Sequence, residues 1–508
     1  MKKLFNFRPI CLLSLIAVFS SILSIFVTKS IESKAVVVLI CAVFAVLLFI
    51  FCLAFKKIGK VLQIFVIITI LIVFLSAFQT QKNLTNLNRY SGTQVQLSGQ
   101  VKQNFKWLAE NKIMFDLTNI KINGESESGE VTVFLNPKNF DISKIKTGAV
   151  ANMTCNINVY NLSGDTSKLS YISAGKVASV NVLAYQFEIV DDSNLTLRDK
   201  IKNSVFESLG KTEYGEIGYA MLFGDSSELS SVETDTFRAT GIAHLLAVSG
   251  LHVSIIAMAL TFIMSKLKFS RLLQLLILLP ILAFYCYLCN FSISVIRASL
   301  MAIFASYALI RGKPYDNLTV LSLIALIVLL INPLQLYNLS FILSFTAILS
   351  IIFLIEPLTR FFDKIFYKKL SSLLALNVSI QIGLFAVQVY FFGRFPLCGI
   401  LANLISVPIA TISFIFLFFL AFLSPIFSTT HLINLTFGLP MSLIMKINYW
   451  ISSVAPVFSA TNISVLVLPL SILLMFVLSD FVFLKRKTKT IICSGIVAFL
   501  LVFLCIAF

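Results

Sequence analysis

Apolar runs of about 20 residues recur along this chain, separated by short polar stretches that hold many of its basic residues. A helix of that length crosses a hydrocarbon core of ~30 Å, so each run predicts a membrane span. The runs fall near 10–28, 35–55 and 61–78, then 241–265, 272–290, 293–310, 317–332, 338–356, 372–392, 397–424, 433–457, 462–484 and 490–508. The pattern predicts a polytopic α-helical membrane protein of about thirteen spans. Two runs are weaker. Segment 317–332 is short, and 433–457 carries Asn434, Pro440, Lys446 and Asn448, which predicts a broken or re-entrant helix. The first run follows Lys2, Lys3 and Arg8 but lacks a small-residue cleavage site, so it reads as a retained span rather than a signal peptide.

Between the third and fourth spans the period changes from helical to two. Val95, Leu97, Gly99 and Val101 alternate with glutamines and a serine. Ile113, Phe115 and Leu117 alternate with polar neighbours, as do Val131, Val133 and Leu135. Such alternation predicts strands with one buried face, and Asn123-Gly124 predicts a hairpin turn. Five or so strands in this stretch predict a small barrel of the OB type. Phe105, Trp107 and Tyr160 are its candidate stacking residues for a single strand, and a structural or partner-docking role is the other reading. Further on, Leu197, Ile201, Val205 and Leu209 recur every fourth residue. They predict an amphipathic helix, lying on the membrane or packed on the bundle.

The resulting organisation is an N-terminal membrane segment (1–79), an extracytoplasmic β domain (80–190), an amphipathic helix with connector (191–235), a helical bundle (236–485) and a last span (486–508). Basic clusters at 2–8, 56–60, 266–271, 311–313, 360–369 and 485–489 all fall on one side of this arrangement, which places the N-terminus inside and the C-terminus outside.

Composition agrees. Apolar residues make up 58% of 508, charged residues 12%, and mean hydropathy is +0.94. The net charge of +17 is mostly topological, because residues 82–200 contribute 13 Lys and Arg against 11 Asp and Glu. The pI is therefore no evidence for a nucleic-acid face. Of nine cysteines only Cys155 lies in the polar domain, which excludes an internal disulfide there. Cys286 and Cys289 read as thiols packed in a helix.

The most unusual stretch is 220–253, which holds His244, Ser249, Gly250 and His252 in an apolar run. Ionisable groups at membrane depth are costly and are functional candidates. On a continuous helix His244 and His252 would be ~12 Å and ~80° apart, too far to share a metal ion. Ser249 and His252 are spaced to share a helix face, the least a nucleophile and base would need. Gly250 reads more simply as loosening the helix or permitting close backbone approach.

The segments GDSSELS (224–230), FRATGIAHLLAVSGLHV (237–253), SVIRASLMA (294–302), NLSFILSFTAIL (338–349) and FGRFPLCGILANLISVPI (392–409) resemble the ComEC family of competence proteins. The resemblance covers about 213–425, and the β domain is similar to that family's OB-like domain. It implies an inner-membrane channel that passes one strand of DNA into the cytoplasm during natural transformation. The matching positions are Asp225, Arg238, His244, Ser249, His252, Arg297, Ser344 and Asn403, with Gly224, Gly241, Gly250 and Pro408 shaping the backbone. It also implies partners: single-stranded DNA, membrane lipids, a cytoplasmic helicase-like ATPase, an extracytoplasmic DNA receptor and further copies of the chain. Longer members resemble a channel joined to a metallo-β-lactamase-like domain. No His-x-His-x-Asp-His run occurs here, so neither a nuclease nor any other enzyme activity is expected, and no cofactor.

A strand with one phosphate per nucleotide needs a wet, polar or cationic path. Arg297 is the first candidate for a phosphate contact, a structural partner being the alternative. Lys446 is the second, with snorkelling to the interface as its alternative. Ser344, Asn338 and Asn403 would line the path or bond between helices. No Walker-type loop is present, so this chain is not expected to hydrolyse ATP. The same sequence also fits a small-solute or lipid-linked transporter, and an intramembrane enzyme.

Overall fold

The computed structural model describes residues 9–30, 90–191, 196–454, 457–459, 467–480, 488 and 492–497, apart from gaps at 103–104, 110–111, 128, 138–144, 146–147, 161–170, 397 and 425–426. The expected spans 35–55 and 61–78, and most of 490–508, lie outside the described residues.

In chain order the helices are α1 (Pro9–Ser30), α2 (Leu197–Leu209), α3 (Gly215–Phe223), α4 (Ser231–Ala239), α5 (Gly250–Lys266), α6 (Arg271–Leu288), α7 (Ile293–Arg311), α8 (Asn317–Ile331), α9 (Leu339–Phe362), α10 (Lys368–Phe392), α11 (Gly399–Leu423), α12 (Thr430–Ile433), α13 (Leu439–Val454) and α14 (Val467–Leu478). The chain divides into two compact units: residues 8–203 with 319–341, and residues 204–318 with 342–508, the latter including 1–7.

The first unit contains the β domain. Strands β1 (Gln94–Val101), β2 (Lys106–Ala109), β3 (Lys112–Ile122), β4 (Glu125–Ser126), β5 (Glu130–Asn136), β6 (Val150–Val159), β7 (Lys176–Leu183) and β8 (Phe187–Asp191) form one sheet. β1 pairs with both β3 and β6, so the order β1-β3-β5-β7-β6 closes on itself as a barrel. β5 and β7 run parallel; the other barrel pairs are antiparallel. The alternating residues supply the interior: Val95, Leu97, Val101, Ile113, Phe115, Leu117, Val131, Val133 and Leu135 are all buried. β1 bulges at Gly99, where an added Cβ would stand 3.1 Å from Leu117 Cβ. Asn123 and Gly124 both adopt positive φ and turn β3 into β4, as the dipeptide predicts. One buried carboxylate breaks the apolar pattern. Asp116 accepts from Lys176 Nζ at 2.8 Å and from Thr132 Oγ1 at 2.8 Å.

The second unit is helical. Five helices among the described residues are long and apolar enough to cross a membrane: α6, α7, α9, α10 and α11. α5 and α14 are apolar but shorter, as is α8, nearly all of which belongs to the first unit. The helix ends follow local chemistry. Ser230 and Glu233 form a capping box at α4, Ser270 Oγ accepts from Leu273 N–H at α6, and Gly312 and Gly393 end α7 and α10 in the left-handed region.

Two expected spans differ in form. The run 241–265 is not one helix: α5 starts only at Gly250, after a 3-10 turn at Ala243–Leu245 and an extended Ser249. The run 433–457 is broken, as its polar residues predict, with a π-helical turn at Asn434–Gly438 between α12 and α13. Two short strands, β9 (Arg394–Pro396) and β10 (Val457–Ser459), pair antiparallel in this unit.

Candidate functional site

The site is built around the interruption before α5. α4 ends in a Schellman motif. Gly241, at φ +73°, gives its N–H to Arg238 O at 3.2 Å, and Ile242 N–H bonds Phe237 O at 3.0 Å. The turn is pressed against β9 and the start of α11. A Cβ on Gly241 would stand 2.7 Å from Pro396 Cγ, and Cys398 Sγ approaches Ala239 O at 3.6 Å. A Cβ on Gly399 would meet Gln381 Nε2 at 2.7 Å. Gly241 thus has close neighbours where a side chain would stand.

At the start of α5, His252 is the third helical residue. Its Nδ1 accepts the Ser249 backbone N–H at 3.2 Å, closing the helix end. A neutral ring with Nδ1 as acceptor carries its proton on Nε2. The ring packs on Phe414 of α11 at 4.4 Å between centroids. Arg297 reaches the same place from α7. A Cβ on Gly250 would collide with Arg297 Nη2. Arg297 Nη1 donates to Ser344 O on α9, and its Cζ lies 6.0 Å from the Phe345 ring centre.

Several buried polar atoms of this unit have no hydrogen-bond partner: Ser249 Oγ, His252 Nε2, Arg297 Nε, Ser344 Oγ, Gln381 Oε1, Gln388 Oε1, Asn403 Oδ1 and Asn448 Oδ1. Asn448 Nδ2 reaches Ser406 Oγ at 2.8 Å and Ile444 O at 2.7 Å, leaving its oxygen over. Ordinary interiors satisfy nearly all such groups. So many in one apolar bundle make this neighbourhood the candidate site.

Of the sequence candidates, Ser249, Gly250, His252, Arg297 and Ser344 come together. Asn403 is buried on α11 with an unpartnered oxygen. Asp225 is buried and accepts from Ser227 N–H at 3.2 Å and Ser227 Oγ at 2.7 Å; its neighbour Gly224 lies against Val248. His244 is exposed in the 3-10 turn. Arg238 is also exposed, 3.5 Å from Asp235. Lys446 is exposed, whereas the buried residues of α13 are Met441, Ile444, Asn448 and Ile451. Asn338 caps α9 by accepting from Ser340 N–H at 2.9 Å. Ser249 and His252 meet through the serine's backbone rather than its hydroxyl, so no nucleophile–base pair is in place. Among the described residues no three His, Cys, Asp or Glu converge as metal ligands. Cys286 and Cys289 hold separate partners, Ser299 Oγ and Leu222 O. In the β domain Tyr160 stacks on Tyr171 at 5.5 Å, Phe105 packs on the barrel core, and the Trp107 side chain lies outside the described residues.

Sequence reasoning missed Gln381 and Gln388. They lie seven residues apart on α10 and so share one face. Two amides one heptad apart in an apolar run were the available signal.

The family model described as Competence protein matches residues 221–488, more than half of the chain. The ComE operon protein 3 of Bacillus subtilis is 29% identical over 193 residues, 38% of this chain and 24% of its own length. The Recombination protein 2 of Haemophilus influenzae is 26% identical over 264 residues, 49% of this chain and 33% of its own length. An uncharacterised protein of Aquifex aeolicus is 30% identical over 161 residues, 32% of this chain and 38% of its own length. The chain thus aligns with less than half the length of each of these relatives. No solved structure matches it.

Proposed function

The chain belongs to the competence protein family, and from that premise we propose that it is a channel passing single-stranded DNA across the cytoplasmic membrane during natural transformation. The observation that carries this reading is the interrupted helix at 241–249, with its surrounding unpartnered polar atoms. Non-helical backbone at membrane depth is tolerated where it is buried in protein or lines a wet cavity. Hydroxyls, amides and one buried guanidinium give a path that accepts phosphates without binding any one of them irreversibly.

The β domain completes the proposal. Its closed strand order, with one parallel pair, supports an OB-like barrel on the outer face, and the Tyr160–Tyr171 stack is an aromatic surface for a base. About thirteen spans, an inside N-terminus and an outside C-terminus follow from the basic clusters. Energy comes from a cytoplasmic helicase-like ATPase and capture from an external receptor. Second-strand degradation falls to a separate protein, or the channel is fed single strands.

The test is entry of labelled DNA. Deleting the gene in a transformable host is expected to leave DNA bound at the surface while abolishing its transfer to the cytoplasm. Normal transformation in the deletion strain rejects the channel reading.

A further inference from the structure

Arg297 occupies a position that is electrostatically unfavourable by itself. It is 4% exposed, and its guanidinium lies against Gly250, the first residue of the 17-residue helix α5. A helix N-terminus carries partial positive charge and unsatisfied N–H groups. Cation and helix end therefore repel. The ion pairs among the described residues give Arg297 no carboxylate to offset this. Its visible compensation is the Ser344 carbonyl and the Phe345 ring. One carbonyl uses one of five guanidinium N–H groups. A buried charge left so incompletely paired is unfavourable, and an anion beside it offsets that.

The neighbours are donors as well. His252 is 1% exposed, its Nδ1 is used by Ser249 N–H, and Nε2–H has no partner. Ser249 Oγ and Arg297 Nε are likewise buried without partners. We infer that the N-terminus of α5 and Arg297 together form an oxyanion site for a phosphate ester, with Arg297 and the Gly250 and Leu251 N–H groups as principal donors and His252 Nε2–H and Ser249 Oγ–H completing it. A tetrahedral phosphate oxyanion suits a guanidinium fork beside a helix end. Assigning the phosphate to a DNA backbone rests on the channel reading; the anion site does not. Such a site grips one phosphodiester at a time, and Gly250 is glycine because a side chain there would evict the guanidinium.

The test uses the full-length protein in phosphatidylcholine nanodiscs. Inorganic phosphate is expected to raise the thermal unfolding midpoint of the wild type. Fluorescein-labelled oligothymidylate is expected to bind and to compete with phosphate. Arg297→Ala and Gly250→Ala are each expected to weaken oligothymidylate binding about tenfold or more and to remove the phosphate response, with Arg297→Lys intermediate. Gly250→Ala keeps every charge and favours helix, so its loss separates guanidinium displacement from misfolding. Lys313→Ala, an exposed loop change, is the control. If phosphatidylglycerol replaces phosphate in stabilising the wild type and oligothymidylate does not, the anion is a lipid headgroup and the DNA assignment falls. Equal phosphate response and equal affinity in wild type, Arg297→Ala and Gly250→Ala, all folded, overturn the site. That result with intact DNA uptake leaves the channel reading standing. A phosphate response in a protein whose deletion leaves transformation normal does the reverse.

Discussion

His252 holds the helix end through one nitrogen and leaves the other for the interior. Replacing it with Ala removes the acceptor for Ser249 N–H, at a cost of about 1 kcal/mol, and His252→Asn retains an acceptor near the same place. Thermal unfolding in detergent is expected to rank the three proteins wild type, Asn, Ala. A larger loss is expected at Gly241, where φ is +73° and Pro396 Cγ stands 2.7 Å from an added Cβ. Gly241→Ala is expected to cost about 1–3 kcal/mol from backbone conformation alone, read by the same melt. At this scale the sequence was legible where a residue was chemically out of place. Arg297 and His252 stand out in apolar runs, and both are buried beside the start of α5. Arg238 and Lys446 stand out equally but are exposed, because charge by itself does not say which helix face carries it. Gln381 and Gln388 went unread because a neutral amide barely disturbs an apolar average.

Among the elements, the β domain was the most legible. Two-residue alternation is written directly in side-chain polarity, and Asn123-Gly124 supplies positive φ where β3 turns. Barrel closure was less visible, since pairing of β1 with β6 depends on residues 50 to 62 positions apart. Cys155 reports on this element. Burial pushes its thiol from 9.0 up to about 12, so the folded barrel prefers the neutral form. The sign follows: this contribution is complete below pH 9 and is lost as pH rises from 9 towards 12. Barrel stability, followed by urea unfolding of the full chain at pH 7.5 and 10.5, is expected to fall more in wild type than in Cys155→Ala. Asp116→Ala strands Lys176 and Thr132, and about 3 kcal/mol of stability is expected to go with it in the same assay. The break in 241–249 was not readable from polarity. Its residues are apolar enough for a helix, and tertiary contact of Gly241 with Pro396 and Gly399 decides otherwise.

Across the whole molecule, charge and hydropathy predict an orientation as well as an architecture. If the basic clusters face inward, a cysteine placed at Lys268 is expected to react with an impermeant maleimide only after permeabilisation, whereas one at Gly124 reacts in intact cells. Labelling of both in intact cells sinks the assigned topology. The β9–β10 ribbon carries one more consequence. Arg394–Pro396 and Val457–Ser459 are zipped together, so the chain leaves through α11, α12 and α13 and returns to its starting point. Those three helices are also docked on the unit along their length: the Phe414 ring lies 4.4 Å from that of His252, and Asn434 Oδ1 accepts from Glu213 N–H at 2.9 Å. Opening the ribbon therefore slackens only the ends of this excursion, while the stretch that carries Asn403, Phe414 and Asn448 keeps its own grip on α5 and α6.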